Sequence, residues 1–150
     1  MIDLNAGALA ELCRAVAPAM IKRKSGAILN VASTAAFQPG PKMAVYFATK
    51  AFVLSLSEAL HEELKPYGIK VSCLCPGPTR TEFGEVAGFG GNGLFEHVAM
   101  TAKDVVAKGL TGLERNRAVV VTGWMNKVAA ASTRFAPRPI VRKIAGSIKY

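Results

Sequence analysis

Three short runs of apolar, mostly branched residues, AILNVA from Ala27 to Ala32, IKVSCLC from Ile69 to Cys75 and AVVVTG from Ala118 to Gly123, constrain this chain more than any other feature. Each is apolar at nearly every position instead of every second one, the pattern of a parallel strand covered on both faces. Between them lie segments with helical spacing. Residues 2–23 carry Leu9, Leu12, Cys13, Val16 and Met20 and close on Lys22, Arg23 and Lys24, cations that suit a helix C-terminus, with Ser25 and Gly26 as the stop. Residues 42–65 form a long pattern rich in Ala, Leu and Glu, broken at Pro66 and Gly68. Thr101, followed by Asp104 three positions later, resembles a capping box that opens a helix to about Leu113. From Trp124 the pattern is helical again, interrupted at Pro137 and Pro139. The succession α-β-α-β-α-β-α predicts an α/β fold, a parallel sheet with flanking helices joined by right-handed crossovers.

In such sheets ligands bind beyond the carboxyl ends of the strands. That directs attention to Ser33 and Thr34 after the first run, Pro76 to Thr81 after the second, and Gly123 and Trp124 after the third. The Gly-rich stretch from Pro76 to Met100 is long for a connection and reads as a candidate lid, to which the GFGGNG of residues 88–93 lends flexibility.

At 150 residues, 51% of them apolar and 19% charged, the chain is sized for one domain with a core of its own. No apolar run approaches the roughly 18 residues needed to cross a bilayer. The opening MIDLNAGALAELCR carries an acid where a secretory signal has basic residues, so a cytoplasmic protein is expected. The net charge of +9 resides in the tail: residues 115–150 hold 8 Lys/Arg and no acid, against 11 Lys/Arg and 10 Asp/Glu before them. Nucleic acid is therefore not expected as a partner of the domain. The tail itself, with Val128, Phe135, Ile140, Val141 and Ile144 interleaved with six cations from Lys127 to Lys149, suits contact with a membrane surface.

Cys13, Cys73 and Cys75 are an odd number in a chain with no export signal, which points to reduced, buried thiols. Cys73 and Cys75, two apart on a strand, are read as pointing to opposite faces. His61 and His97 have no partner at ligand spacing and read as surface or lid groups, so no metal is expected.

In the second helix Tyr46 and Lys50 stand four apart and share one face. A phenol is a poor base at neutral pH, and a neighbouring ammonium favours its ionised form, which fits the pair for proton transfer. Ser33 precedes Tyr46 by thirteen positions at a strand end, Asn5 lies in the first helix, and PGPTRTEF begins at Pro76 where the second strand ends.

This ordered set resembles the short-chain dehydrogenase/reductase family, whose members carry an Asn on a helix, a Ser after a strand, Tyr-x-x-x-Lys, and a Pro-Gly motif followed by Thr. The resemblance covers nearly the whole chain and matches the second half of a member. It implies a partial Rossmann-type domain: residues 1–150 as the C-terminal part of a single NAD(P)-binding domain, with the N-terminal strands and the Gly-rich turn of the form TGxxxGxG expected before residue 1. It further implies Tyr46 as general acid/base, with Lys50 promoting its ionisation and binding the nicotinamide ribose. Ser33 would stabilise charge at the substrate oxygen, and Asn5 would hold a water in a proton relay from Lys50. Pro76, Gly77 and Thr81 would border the nicotinamide of NAD or NADP. The implied reaction is hydride transfer to or from a carbonyl or secondary alcohol, and apolar Phe83, Val86, Phe89, Leu94 and Phe95 hint at a lipophilic one. Residues 2–23 and 42–65 have more apolar surface than one stripe requires, and the resemblance assigns them to a homo-oligomer interface. Two other readings stand beside this one: a truncated half-domain without catalysis of its own, and a basic-tailed module that binds a membrane surface.

Overall fold

The computed structural model of the chain describes residues 1–80 and 99–147. A π-helical turn, Asp3–Gly7, runs directly into α1 (Ala8–Arg23). There follow β1 (Gly26–Val31), a 3-10 turn (Thr34–Phe37), α2 (Ala44–Leu64) and β2 (Ile69–Cys75). Two short strands, β3 (Thr79–Arg80) and β4 (Met100–Thr101), precede α3 (Ala102–Glu114), β5 (Val119–Val121), α4 (Trp124–Ser132) and α5 (Arg138–Ser147).

The expected alternation is present, and its boundaries shift for local reasons. Lys24 adopts the left-handed conformation and ends α1, its N–H reaching Ile21 O, so the stop comes before Ser25 and Gly26 begins β1. Lys42 also has positive φ, which a helix cannot continue through, so α2 starts at Ala44 and not at 42. Thr101 caps α3 by accepting the Asp104 N–H, as expected. The return bond of a capping box is replaced by the Thr101 hydroxyl donating to the Asp104 carboxylate.

β1, β2 and β5 form one parallel sheet in the order β1-β2-β5, with Gly26 opposite Ile69 and Cys73 opposite Val119. The parallel pair β3-β4, which periodicity over two residues cannot signal, closes the segment after Pro76 against the start of α3. Ile69, Val71, Cys73 and Cys75 point to the α1/α2 side of β2, where Val53, Leu54 and Leu64 cover them. Leu74 points the other way, to Val105 of α3.

Three expectations are corrected here. Successive strand residues alternate between faces, so residues two apart share one; Cys73 and Cys75 accordingly lie side by side with Sγ atoms 3.8 Å apart. His61 is no surface group: it is buried on the side of α2 that faces β2, and its Nδ1 donates to Val71 O at 2.7 Å. And the helix through Asp3–Arg23 is, by length and composition alone, apolar enough to cross a membrane, with a mean hydropathy of 1.2. Alanines and a glycine among its larger apolar residues hide this from a search for unbroken runs. Cys13, Ala17, Met20 and Ile21 of that helix are packed towards the sheet, while Leu4 and Leu12 are exposed.

Candidate active site

The carboxyl end of the sheet gathers what the sequence scattered. The first ladder ends with Ala32 N–H donating to Leu74 O, and Thr34 N–H then reaches Pro76 O at 2.8 Å, so the two chain exits run side by side. Ser33 sits between these bonds. Its Oγ accepts the Ala35 N–H at 3.1 Å, capping the 3-10 turn, and stands 3.5 Å from Pro76 O as a donor. Ser33 thus acts as a turn residue: the cap fixes the hydroxyl, and its own proton has only a long, weak partner to give up.

Tyr46 and Lys50 occupy the first two turns of α2. Lys50 Nζ lies 5.7 Å from the centre of the Tyr46 ring and donates to Val31 O, the last residue of β1, at 3.1 Å. Burial pushes the Lys50 ammonium below its ordinary range, partly offset by the nearby thiols of Cys73 and Cys75. The Tyr46 ring also meets Phe47 edge-on, with centroids 5.9 Å apart.

Asn5 is carried to α2 by the π-helical turn, a feature frequent at functional sites. Its Nδ2 donates to Thr49 Oγ1 at 3.3 Å, and the Thr49 hydroxyl donates to Tyr46 O at 2.8 Å. Thr49 was not singled out from sequence. Its place three after Tyr46, on the same helix face, is the signal that could have found it.

Gly77 is explained without any ligand. A Cβ there would collide with the Asn126 side chain, whose Nδ2 is tied to Thr122 O at 2.7 Å. Thr122 Oγ1, at the end of β5, is buried with no partner among the described residues. Thr81, His97 and most of the candidate lid, GFGGNG and its apolar residues included, lie outside the described residues. A cleft of about 270 Å³ opens beside the 3-10 turn, lined by Phe37, Gln38, Pro39, Thr133, Arg138 and Val141. Among the described residues no cluster of three or more His, Cys, Asp or Glu side chains could hold a metal ion.

Ser33, Tyr46, Lys50 and Pro76 are therefore brought to one end of the sheet, with Asn5 linked to them through Thr49. A hydroxyl, a phenol and an ammonium are groups that can hold and move a proton at an oxygen atom.

Comparison with known proteins agrees in family. The short chain dehydrogenase family model matches residues 1–88. A very-long-chain 3-oxoacyl-CoA reductase of Bos taurus is 38% identical over 86 residues, 57% of this chain and 28% of the relative. An oxidoreductase of Staphylococcus epidermidis is 36% identical over 111 residues, 74% of this chain and 47% of the relative. The chain thus spans less than half the length of these curated relatives. Among solved structures, a short-chain dehydrogenase from Sphingobium yanoikuyae in complex with NADPH superposes with a TM-score of 0.75 at 34% identity, covering 99% of this chain and 56% of that one. A short chain dehydrogenase from Burkholderia cenocepacia in complex with NADP gives 0.79 at 27% identity, covering 96% and 58%.

Proposed function

Because the chain belongs to the short-chain dehydrogenase family, we propose that it forms the acid/base half of an NAD(P)-dependent oxidoreductase acting on a carbonyl or secondary alcohol. The observation that carries this reading is Lys50 held over the Tyr46 ring and anchored to Val31 O, at the sheet end where Ser33 meets Pro76. The donor set fits the nicotinamide-ribose end of the cofactor. An ammonium has three N–H bonds, and Val31 O takes one, which leaves donors for ribose hydroxyls. Lys50 and Tyr46 would hold the ribose, and Pro76, Gly77 and Thr81 would border the ring. When bound, the cofactor supplies or accepts the hydride.

The chain's own residues manage the proton and the charge. Tyr46 Oη gives its proton to the substrate oxygen in reduction and takes it back in oxidation. Ser33 Oγ exchanges its weak contact with Pro76 O for a hydrogen bond to that oxygen. Lys50 favours the phenolate electrostatically, and Asn5, through Thr49, steadies the turn of α2 that carries both. Two of the solved relatives are described as complexes with NADPH or NADP, and the Bos taurus relative is named for a very-long-chain acyl substrate. These support a nicotinamide cofactor and a lipophilic carbonyl substrate. Turnover of a ketone and aldehyde panel with NADPH and NADH tests the reading: Tyr46→Phe should remove most of it, and retained activity sinks the assignment.

One observation favours a second reading. β1 is composed like a strand buried on both faces, yet among the described residues it lies at the sheet edge, with Val31 49% exposed beside a groove of about 420 Å³ lined by Leu9, Leu12 and Val16 of α1. On this reading the chain alone is a half-domain that needs a complementary strand before it can bind cofactor. Calorimetric titration of NADPH and NADH into the 150-residue chain separates the two: micromolar binding excludes the half-domain, and no binding supports it.

A further inference from the structure

α4 buries Ala130 and turns Trp124, Met125 and Val128 to the opposite side, where all three are exposed. The connection to α5 carries Phe135, 88% exposed, and α5 itself buries Ala145 while leaving Ile140 and Ile144, one turn apart, in solvent. Single exposed apolar residues need no explanation, but six large ones within a short helix pair do. Lys127 stands one turn from Trp124, Arg134 beside Phe135 and Lys143 one turn from Ile140, all exposed, whereas Arg138 and Arg142 fall on the stripe of α5 that carries buried Ala145, with Arg138 lining the cleft beside Phe37 and Pro39; residues 115–150 contain no acid. Among the described residues none of Lys127, Arg134 and Lys143 is in an ion pair.

We propose that the α4–α5 face is a docking surface for a bilayer of anionic phospholipid. The charge chooses among occupants. The same face of a second copy would set its three cations against the first three with no acid of residues 115–150 to neutralise them, a repulsive arrangement. A nucleic acid would satisfy the cations and leave Trp124, Phe135 and the isoleucines against phosphate, whereas an anionic bilayer offers headgroups to the cations and an acyl boundary to the apolar side chains. Trp and Phe at the interface and Lys/Arg among them are the composition of a surface-lying helix. This inference does not rest on the catalytic reading.

Trp124, 74% exposed, is the chain's one tryptophan and reports directly on the face. The full chain is mixed with vesicles of phosphatidylcholine alone or containing phosphatidylglycerol, then sedimented and examined by fluorescence. The expected result is co-sedimentation and a blue shift of Trp124 emission with the anionic vesicles only, weakening as salt is raised. The double variant Lys127→Glu/Lys143→Glu should partition at least about tenfold more weakly, and Phe135→Ser should reduce the partition at every salt concentration. Equal recovery in the supernatant with both vesicles overturns the proposal. So does sedimentation without a Trp124 shift, which would be charge attraction alone. A lipid-free, concentration-dependent shift accompanied by dimerisation overturns it too, by giving the face to a second copy.

Discussion

Lys50 Nζ is fixed to the carbonyl of Val31 at 3.1 Å, which joins the helix bearing Tyr46 to the last residue of β1. The ammonium is thus placed by the sheet as well as by its own helix, and its position does not depend on side-chain packing alone. Burial has lowered its proton affinity. On the proposed mechanism the charged form is needed, so the basic limb of the activity profile should fall below the ordinary lysine range. Lys50→Arg should move that limb upward, because a guanidinium stays charged, although the changed shape should reduce turnover. A basic limb unmoved by Lys50→Arg would separate this group from the proton chemistry.

The same shift has a stability consequence of definite sign. A lysine whose folded-state affinity is lowered binds its proton more tightly when unfolded, so between the two values the unfolded chain holds more protons and stability rises with pH. Below the folded value the penalty is complete. Lys50→Met should remove this dependence; denaturant midpoints measured from pH 7 to 10.5 check it, provided the variant keeps the wild-type denaturant slope.

Thr49 accepts from Asn5 and donates to the carbonyl of Tyr46. Thr49→Val keeps the volume and removes both bonds. The expected loss is about 1–2 kcal/mol, or roughly 2–8 °C in Tm, with a larger fractional loss in turnover than in cofactor affinity if the turn carrying Tyr46 is what loosens. Asn5→Ala should give a smaller change in the same direction.

Gly77→Ala drives a methyl into the Asn126 amide and should break its bond to Thr122 O. Overpacking of this kind costs about 1–3 kcal/mol. Because the obstacle is one side chain, Gly77→Ala/Asn126→Ser should recover much of the loss in thermal unfolding, and a double variant no better than the single would place the strain in the backbone.

Phe52 is partly exposed on α2, near exposed Val45. If α1 and α2 form the proposed oligomer interface, Phe52→Glu buries a charge at the seam and should dissociate it in sedimentation velocity. An unchanged sedimentation coefficient would remove this helix from the interface.

Much of the fold was legible because the strands are uniformly apolar and the helices punctuated: β2 was bounded residue for residue at Ile69 and Cys75, and α3 within a residue at its end. What escaped depends on backbone angles or on contacts between distant segments. Lys24 and Lys42 in positive φ moved two boundaries, and no periodicity announces a left-handed lysine. The site residues were legible as types in order. The links among them were not, since Asn5 to Thr49 and Lys50 to Val31 join segments that spacing alone cannot align. Cys73 and Cys75 show the opposite failure, in which a strand's period of two was available and was applied the wrong way.

The parallel register of β1 and β2 has a consequence for how the protein comes into being. Ser33 finds Pro76 only after the crossover through α2 has been completed, 43 residues later. During synthesis, therefore, the serine leaves the ribosome well before Pro76 exists for it to pair with, and the segments through Tyr46 and Lys50 must wait with it. Until β2 arrives the edge of β1 that it will pair with is open, and a pause in translation within α2 would prolong that exposure. The interval between making Ser33 and making Pro76 is a window for chaperone capture, set by topology and not by the strength of any single contact.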